Sequence, residues 1–152
     1  MKLAGNYTLP IGRERAYELM QDPTVLARAM PGCDHLALIG PDEYEMRMKM
    51  VISSIQGLFA GKVRIADRNP PEGFRLIVEG SGKAGFMKGE GLLTLASLYA
   101  STDVHYEGDV QVGGMIAGVG QRLIDATSRF LIKKFFQRLT EEAGAQMPQA
   151  AD

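Results

Sequence analysis

The sequence predicts an α+β domain. One curved antiparallel sheet of about seven strands carries two short helices after its first strand and a long helix at its end. Three observations predict it. From Cys33 to Val112 apolar residues tend to recur at every second position, the period of strands. After Gly113-Gly114 the period changes to about 3.6 and holds to about Glu142. Between Lys2–Leu9 and Cys33, two brief helical patterns intervene.

Lys2 to Leu9 reads as the first strand, ended by Pro10-Ile11-Gly12. Arg13 to Met20 groups Ala16, Tyr17, Leu19 and Met20 as a short helix. Asp22-Pro23 starts another, because Asp caps a helix and Pro is tolerated at its first position. Pro31-Gly32 stops it. Cys33 to Ile39 is a strand, and Gly40-Pro41-Asp42 a turn. Along Glu43 to Ile52, Tyr44, Met46, Met48, Met50 and Ile52 face one way, and Glu43, Glu45, Arg47 and Lys49 the other. One dry and one wet face is typical of antiparallel sheets.

Phe59 to Arg68 alternates again, with Val63 and Ile65 inward. After the turn Asn69 to Gly73, Phe74, Leu76 and Val78 face in. Gly89 to Leu98, with Leu93, is the next strand. Ser101 to Val112 places Val104, Tyr106, Val110 and Val112 inside and His105 and Glu107 outside. The closing helix of about 27 residues would be about 40 Å long. Its apolar stripe is Ile116, Val119, Leu123, Thr127, Phe130, Leu131 and Leu139. Gly114, Gly118 and Gly120 loosen its start, since each Gly costs about 1 kcal/mol relative to Ala. The domain is expected over residues 1–143, with a disordered tail at 144–152.

A chain of 152 residues with formal net charge -1 is one domain without the basic excess of a nucleic-acid binder. Cys33 is the single cysteine and forms no internal disulfide. No secretory pattern follows Met1 and no apolar run nears the roughly 20 residues of a membrane span. The expected compartment is the cytoplasm, with any membrane contact peripheral and at the inner face.

Gly80-Ser81-Gly82-Lys83-Ala84-Gly85 has the spacing G-x-G-x-x-G, but no helix follows it to hold a pyrophosphate. It reads as a hairpin turn or bulge. Cys33, Asp34 and His35 are neighbours on one strand and point to alternating faces, so they do not converge on a metal. No metal or other cofactor is expected. The many acidic residues alternate with apolar ones, as on solvated faces.

A long helix on one curved sheet encloses a space, and its walls are the candidate site. From the sheet these are Tyr44, Met46, Met48, Met50, Phe59, Val63, Phe74, Leu76, Leu93, Val104 and Tyr106. From the helical segment they are Met115, Ile116, Val119, Leu123, Thr127 and Phe130. The methionines are either ordinary core or a plastic wall around an apolar ligand. Arg122, Arg129, Lys133, Lys134 and Arg138 make the helix basic, as a solvated face or as a contact for an anionic membrane.

Four segments together resemble the CoxG family of carbon monoxide dehydrogenase subunits: Met30-Pro31-Gly32-Cys33, Gly57 to Val63, Gly89 to Leu95, and Gly113 to Ile124. The resemblance runs from about Met1 to Leu139. It implies a START-like (SRPBCC) helix-grip fold with a hydrophobic cavity between sheet and helix. It implies a non-catalytic accessory protein of molybdenum-containing dehydrogenases, tied to their membrane recruitment. Some family members carry a C-terminal hydrophobic anchor; this sequence ends at Asp152 without one. The expected function is binding of a lipid or isoprenoid quinone, with such an enzyme as partner, no nucleic acid and no catalytic residue. The alternatives are a ligand-free docking or assembly factor, and a cyclase- or hydrolase-type enzyme using Tyr44, Tyr106 or Thr127.

Overall fold

A computed structural model describes residues 1–52 and 54–146 of the chain. Strand β1 (Lys2–Leu9) leads into helices α1 (Arg13–Leu19) and α2 (Pro23–Ala29). Six strands follow: β2 (Cys33–Gly40), β3 (Glu43–Ile52), β4 (Ile55–Asn69), β5 (Gly73–Gly82), β6 (Gly85–Leu98) and β7 (Ser101–Gly113). A 3-10 helix (Met115–Val119) and helix α3 (Gln121–Gln146) close the chain.

The sheet is antiparallel in the order β1-β7-β6-β5-β4-β3-β2. Strands β2 to β7 form a meander, and β1 pairs with the last of them. Short turns explain the meander. Gly82 pairs with Gly85, so Lys83-Ala84 is a two-residue hairpin loop. That places the G-x-G-x-x-G spacing at a hairpin.

The edge strand β1 is pinned at both ends. The Met1 ammonium donates to Asp109 Oδ1 at 3.0 Å and to the Val110 carbonyl at 2.9 Å. At the other end the buried Thr102 hydroxyl donates to the Ile11 carbonyl at 2.8 Å. Helix α2 begins as its sequence dictates: Asp22 accepts from the Thr24 N–H, and Pro23 occupies the first helical position.

One core fills the space between the inner sheet face, α1, α2 and the C-terminal half of α3. Phe59, Phe74, Leu9, Met46 and Leu139 are among its largest fully buried side chains. Burying a side chain of this size stabilises by about 1.5–3 kcal/mol.

Three expectations need correction. The closing helix is not continuous from Gly113. Gly114 and Gly120 have φ of 81° and 101°, and the five residues between them form a 3-10 turn. A true α-helix starts only at Gln121. At its other end α3 runs through Gln146, so residues 144–146 of the expected tail are helical. Residues 147–152 lie outside the described part. Strands β4 and β6 begin at Ile55 and Gly85, four residues before the positions that alternation alone suggests.

Candidate functional site

Most of the residues expected to form the wall lie inside the fold. Tyr44, Met46, Met48, Met50, Phe59, Val63, Phe74, Leu93, Val104 and Ile116 are buried. Leu76, Tyr106 and Val119 are half-buried against the same core. Met115, Leu123 and Phe130 are corrections: they are 65%, 37% and 61% exposed and face solvent. The break at Gly120 causes the error for the helix. A stripe phased from Ile116 does not carry into α3, whose buried positions are Ile124, Phe136, Leu139 and Ala143.

Burial divides α3 into two halves. Its C-terminal half is held by α1, α2 and β1. Phe136 is stacked between elements there, on Tyr7 of β1 and Tyr106 of β7. Before Phe136, Ile124 is the single buried residue of α3; Leu131, Ile132 and Phe135 are half-buried.

An apolar gap of about 40 Å³ lies under that looser half. Met50, Ile116 and Thr127, three of the expected wall residues, line it together with Met87, Ile124 and Leu131. Ile52, Val110, Val112 and Ser128 complete it. Seven of the ten lie outside the expected wall; Ile52, Val110, Val112 and Leu131 were read as inward without being assigned to it, and Met87, Ile124 and Ser128 were missed altogether. Glycines at 89 and 91 take the places where apolar residues would have shown that Met87 shares the inner face. The remaining expected wall residues do not line the gap; apart from the exposed Met115, Leu123 and Phe130, they fill the core or pack against it.

The gap holds about one water-sized molecule. Sites for small molecules are typically about 300–1,000 Å³. The larger hollow, about 530 Å³, is an open groove on the outer sheet face between Ile39, Ala60 and Phe86. It is crossed by the register row Glu45, Lys62, Glu79, Lys88, whose charges alternate from strand to strand. Such a row is a solvated surface.

Tyr44 and Tyr106 stand on β3 and β7, four places apart in the sheet, and Thr127 is on α3. His105 lies on the outer face with Asn6 and Glu107 as partners, both at 3.1 Å. Burial pushes the Cys33 thiol up, away from thiolate, and the thiol donates a hydrogen bond to the His35 carbonyl at 3.5 Å. Among the described residues no three His, Cys, Asp or Glu side chains group as metal ligands would. No described helix is long and apolar enough to cross a membrane.

The comparisons with known proteins agree with this architecture. Residues 5–144 match the sequence pattern of CoxG, a subunit of carbon monoxide dehydrogenase. The chain belongs to the CoxG family. No curated protein matches it by sequence. Among solved structures it is similar to a conserved protein from Geobacillus kaustophilus, with 29% identity and a TM-score of 0.91 over 95% of this chain and 96% of that one. A START superfamily protein from Mycobacterium smegmatis shares the fold at 12% identity and a TM-score of 0.74, covering 96% of this chain and 99% of that one. The Zhui aromatase/cyclase from Streptomyces sp. R1128 shares it at 11% identity and a TM-score of 0.68, covering 99% and 98%. This CoxG chain therefore has a START-like fold.

Proposed function

We propose that this CoxG protein is a non-catalytic carrier of an apolar small molecule, a lipid or an isoprenoid quinone, serving a molybdenum-containing dehydrogenase at the membrane. The observation that supports it is the uneven hold on α3. The helix is clamped at Phe136, Leu139 and Ala143 and loosely held above the gap. Gly114 and Gly120 bracket the 3-10 turn with positive φ and give two points about which it can swing. Met50 and Met87 line the gap and can repack as it widens. The described structure is then the closed form, and a ligand enters by lifting the turn and the start of α3. The outer face of α3 carries Arg122, Phe130, Lys133 and Lys134, all exposed, and this suits contact with an anionic membrane or an acidic enzyme surface.

A second reading is favoured by the small volume of the gap: a docking or assembly factor that needs no ligand. Native mass spectrometry and organic extraction of the purified protein separate the two. Bound lipid or quinone is the expected result. Protein that is consistently empty and takes up no quinone or lipid analogue would overturn the carrier and leave the docking factor.

A further inference from the structure

Two features of the interior have no explanation in packing. The first is Gly89 and Gly91, which point inward on β6 between Met87 and Leu93. Glycine weakens a strand and marks a bend or a close approach of backbone or ligand. At several other glycines of this sheet the reason is visible, whereas inward Gly80, beside Met87 on β5, is as open as these two. A Cβ at Gly61, Gly73 or Gly82 would run into a carbonyl oxygen of the neighbouring strand, and one at Gly108 would lie 2.7 Å from the Glu90 carbonyl. At Gly91 a Cβ would meet only β7 backbone at 3.6 and 3.9 Å. At Gly89 it would meet Val110 Cγ2 at 3.8 Å and the Asp109 carbonyl at 4.0 Å. Neither residue has a positive φ. Alanine would fit at both, so space above the backbone is what these glycines provide.

The second feature is Tyr17. It is 8% exposed, and its buried hydroxyl has no hydrogen-bond partner among the described residues. An unmet buried hydroxyl is costly and calls for a partner. Tyr17 meets Phe74 edge-on, with centroids 5.8 Å apart. Phe74 pairs with Leu93, and Leu76 with Gly91. Tyr17 thus comes down at one end of the glycine track, and the gap beside Met87 lies at the other. Tyr106, which also pairs with Leu93, leaves the track uncovered, because its ring lies over Gly5 and stacks on Phe136.

The structure assigns Gly89 and Gly91 as the floor, and the Tyr17 hydroxyl as the hydrogen-bond donor, of a site for a flat apolar molecule bearing a carbonyl oxygen. This rests on the carrier reading above and adds the ligand's polar group and orientation. The carbonyl sits at the Tyr17 end, and an apolar chain runs toward Met87 and the 3-10 turn. Met87 to Leu93 spans about 20 Å at about 3.3 Å per residue, so the ligand is elongated.

The test uses 2,3-dimethyl-1,4-naphthoquinone, which leaves no ring position for thiol addition, and 2,3-dimethylnaphthalene, which lacks the carbonyls. Equilibrium dialysis measures both against wild type, Tyr17→Phe, Gly91→Ala and Gly91→Val. Tyr17→Phe is expected to weaken the quinone about tenfold, the hydrocarbon hardly at all, and to raise the melting temperature of ligand-free protein. Gly91→Val is expected to weaken both probes about tenfold or more, and Gly91→Ala less, as the floor rises. Quinone affinity unchanged in Tyr17→Phe, or a lower ligand-free melting temperature, overturns the anchor. Both probes bound equally by wild type and the Gly91 variants overturns the floor. Wild type that binds neither probe overturns the carrier reading, and this site with it.

Discussion

Phe136 of α3 stacks on Tyr7 of β1, with ring centroids 5.0 Å apart and planes inclined by 14°. Tyr106 stacks on the same ring at 5.7 Å. Six residues earlier on the same helix, Phe130 is 61% exposed, against 2% for Phe136. The aromatic cluster is therefore the clamp that fixes one end of the helix to the sheet edge. Phe136→Ala should lower unfolding free energy by about 3–5 kcal/mol, because the cavity it leaves cannot fill. Phe130→Ala should change it by less than about 0.5 kcal/mol. Urea denaturation of the two variants measures both, and similar losses would contradict the uneven hold on α3.

Thr102 is the one fully buried polar side chain in the core among the described residues, and its hydroxyl satisfies the Ile11 carbonyl at the turn into α1. Thr102→Val keeps the shape and leaves that carbonyl unpaired. The expected loss is about 1–3 kcal/mol by urea denaturation. Thr102→Ser retains the hydroxyl and should lose less than Thr102→Val. The reverse order would mean that methyl packing, not the hydrogen bond, holds this corner.

The pairing of Met1 with Asp109 has a pH signature. A hydrogen bond from the N-terminal ammonium, with its charge, holds the Asp109 carboxyl below the usual carboxylate range. A carboxyl depressed in the folded state adds stability above its unfolded value of about 3.9, and that stability disappears as pH falls through the folded value. Asp109→Asn should therefore melt slightly below wild type at pH 7. The difference should shrink as pH drops below about 4 and vanish in stronger acid. Asp109 is solvent-exposed, so salt should narrow the difference too. A difference independent of pH would exclude the ion pair as its source.

Where one face is dry and the other wet, the fold was readable residue by residue. Strands β1 and β3 have the bounds that alternation predicts, and Met46, Met48 and Met50 are buried as expected. The start of α2 was equally legible, because Asp22-Pro23 acts locally. Legibility failed where backbone conformation, not side-chain pattern, decides. Nothing in the periodicity of residues 113–124 reveals that Gly120 sits at φ 101°, and that angle rotates Leu123 and Phe130 out of the interior. The gap was only partly legible for a related reason. Gly89 and Gly91 erase the alternation that would have tied Met87 to the inner face. An orphan hydroxyl such as that of Tyr17 depends on what surrounds it in space, which no spacing rule conveys.

The same angles reverse one expectation for the glycine-rich turn. By helix propensity alone, Ala at Gly118 and at Gly120 would each stabilise by up to about 1 kcal/mol. Gly118 lies within the 3-10 turn with nothing within 4 Å of a Cβ, so Gly118→Ala should be neutral to stabilising. Gly120 has φ 101° and ψ 150°, a region held almost solely by Gly. Gly120→Ala should cost about 1–3 kcal/mol, although the space around it is open. If the turn lifts to admit a ligand, the two variants move exchange in opposite directions. Gly118→Ala stiffens the turn and should slow release of a bound quinone analogue. Gly120→Ala strains the closed form and should speed it. Stopped-flow displacement, paired with melting curves, reads both effects. Release rates that stay at the wild-type value in both variants, while stability shifts as stated, would place the ligand's route elsewhere than the turn between Gly114 and Gly120.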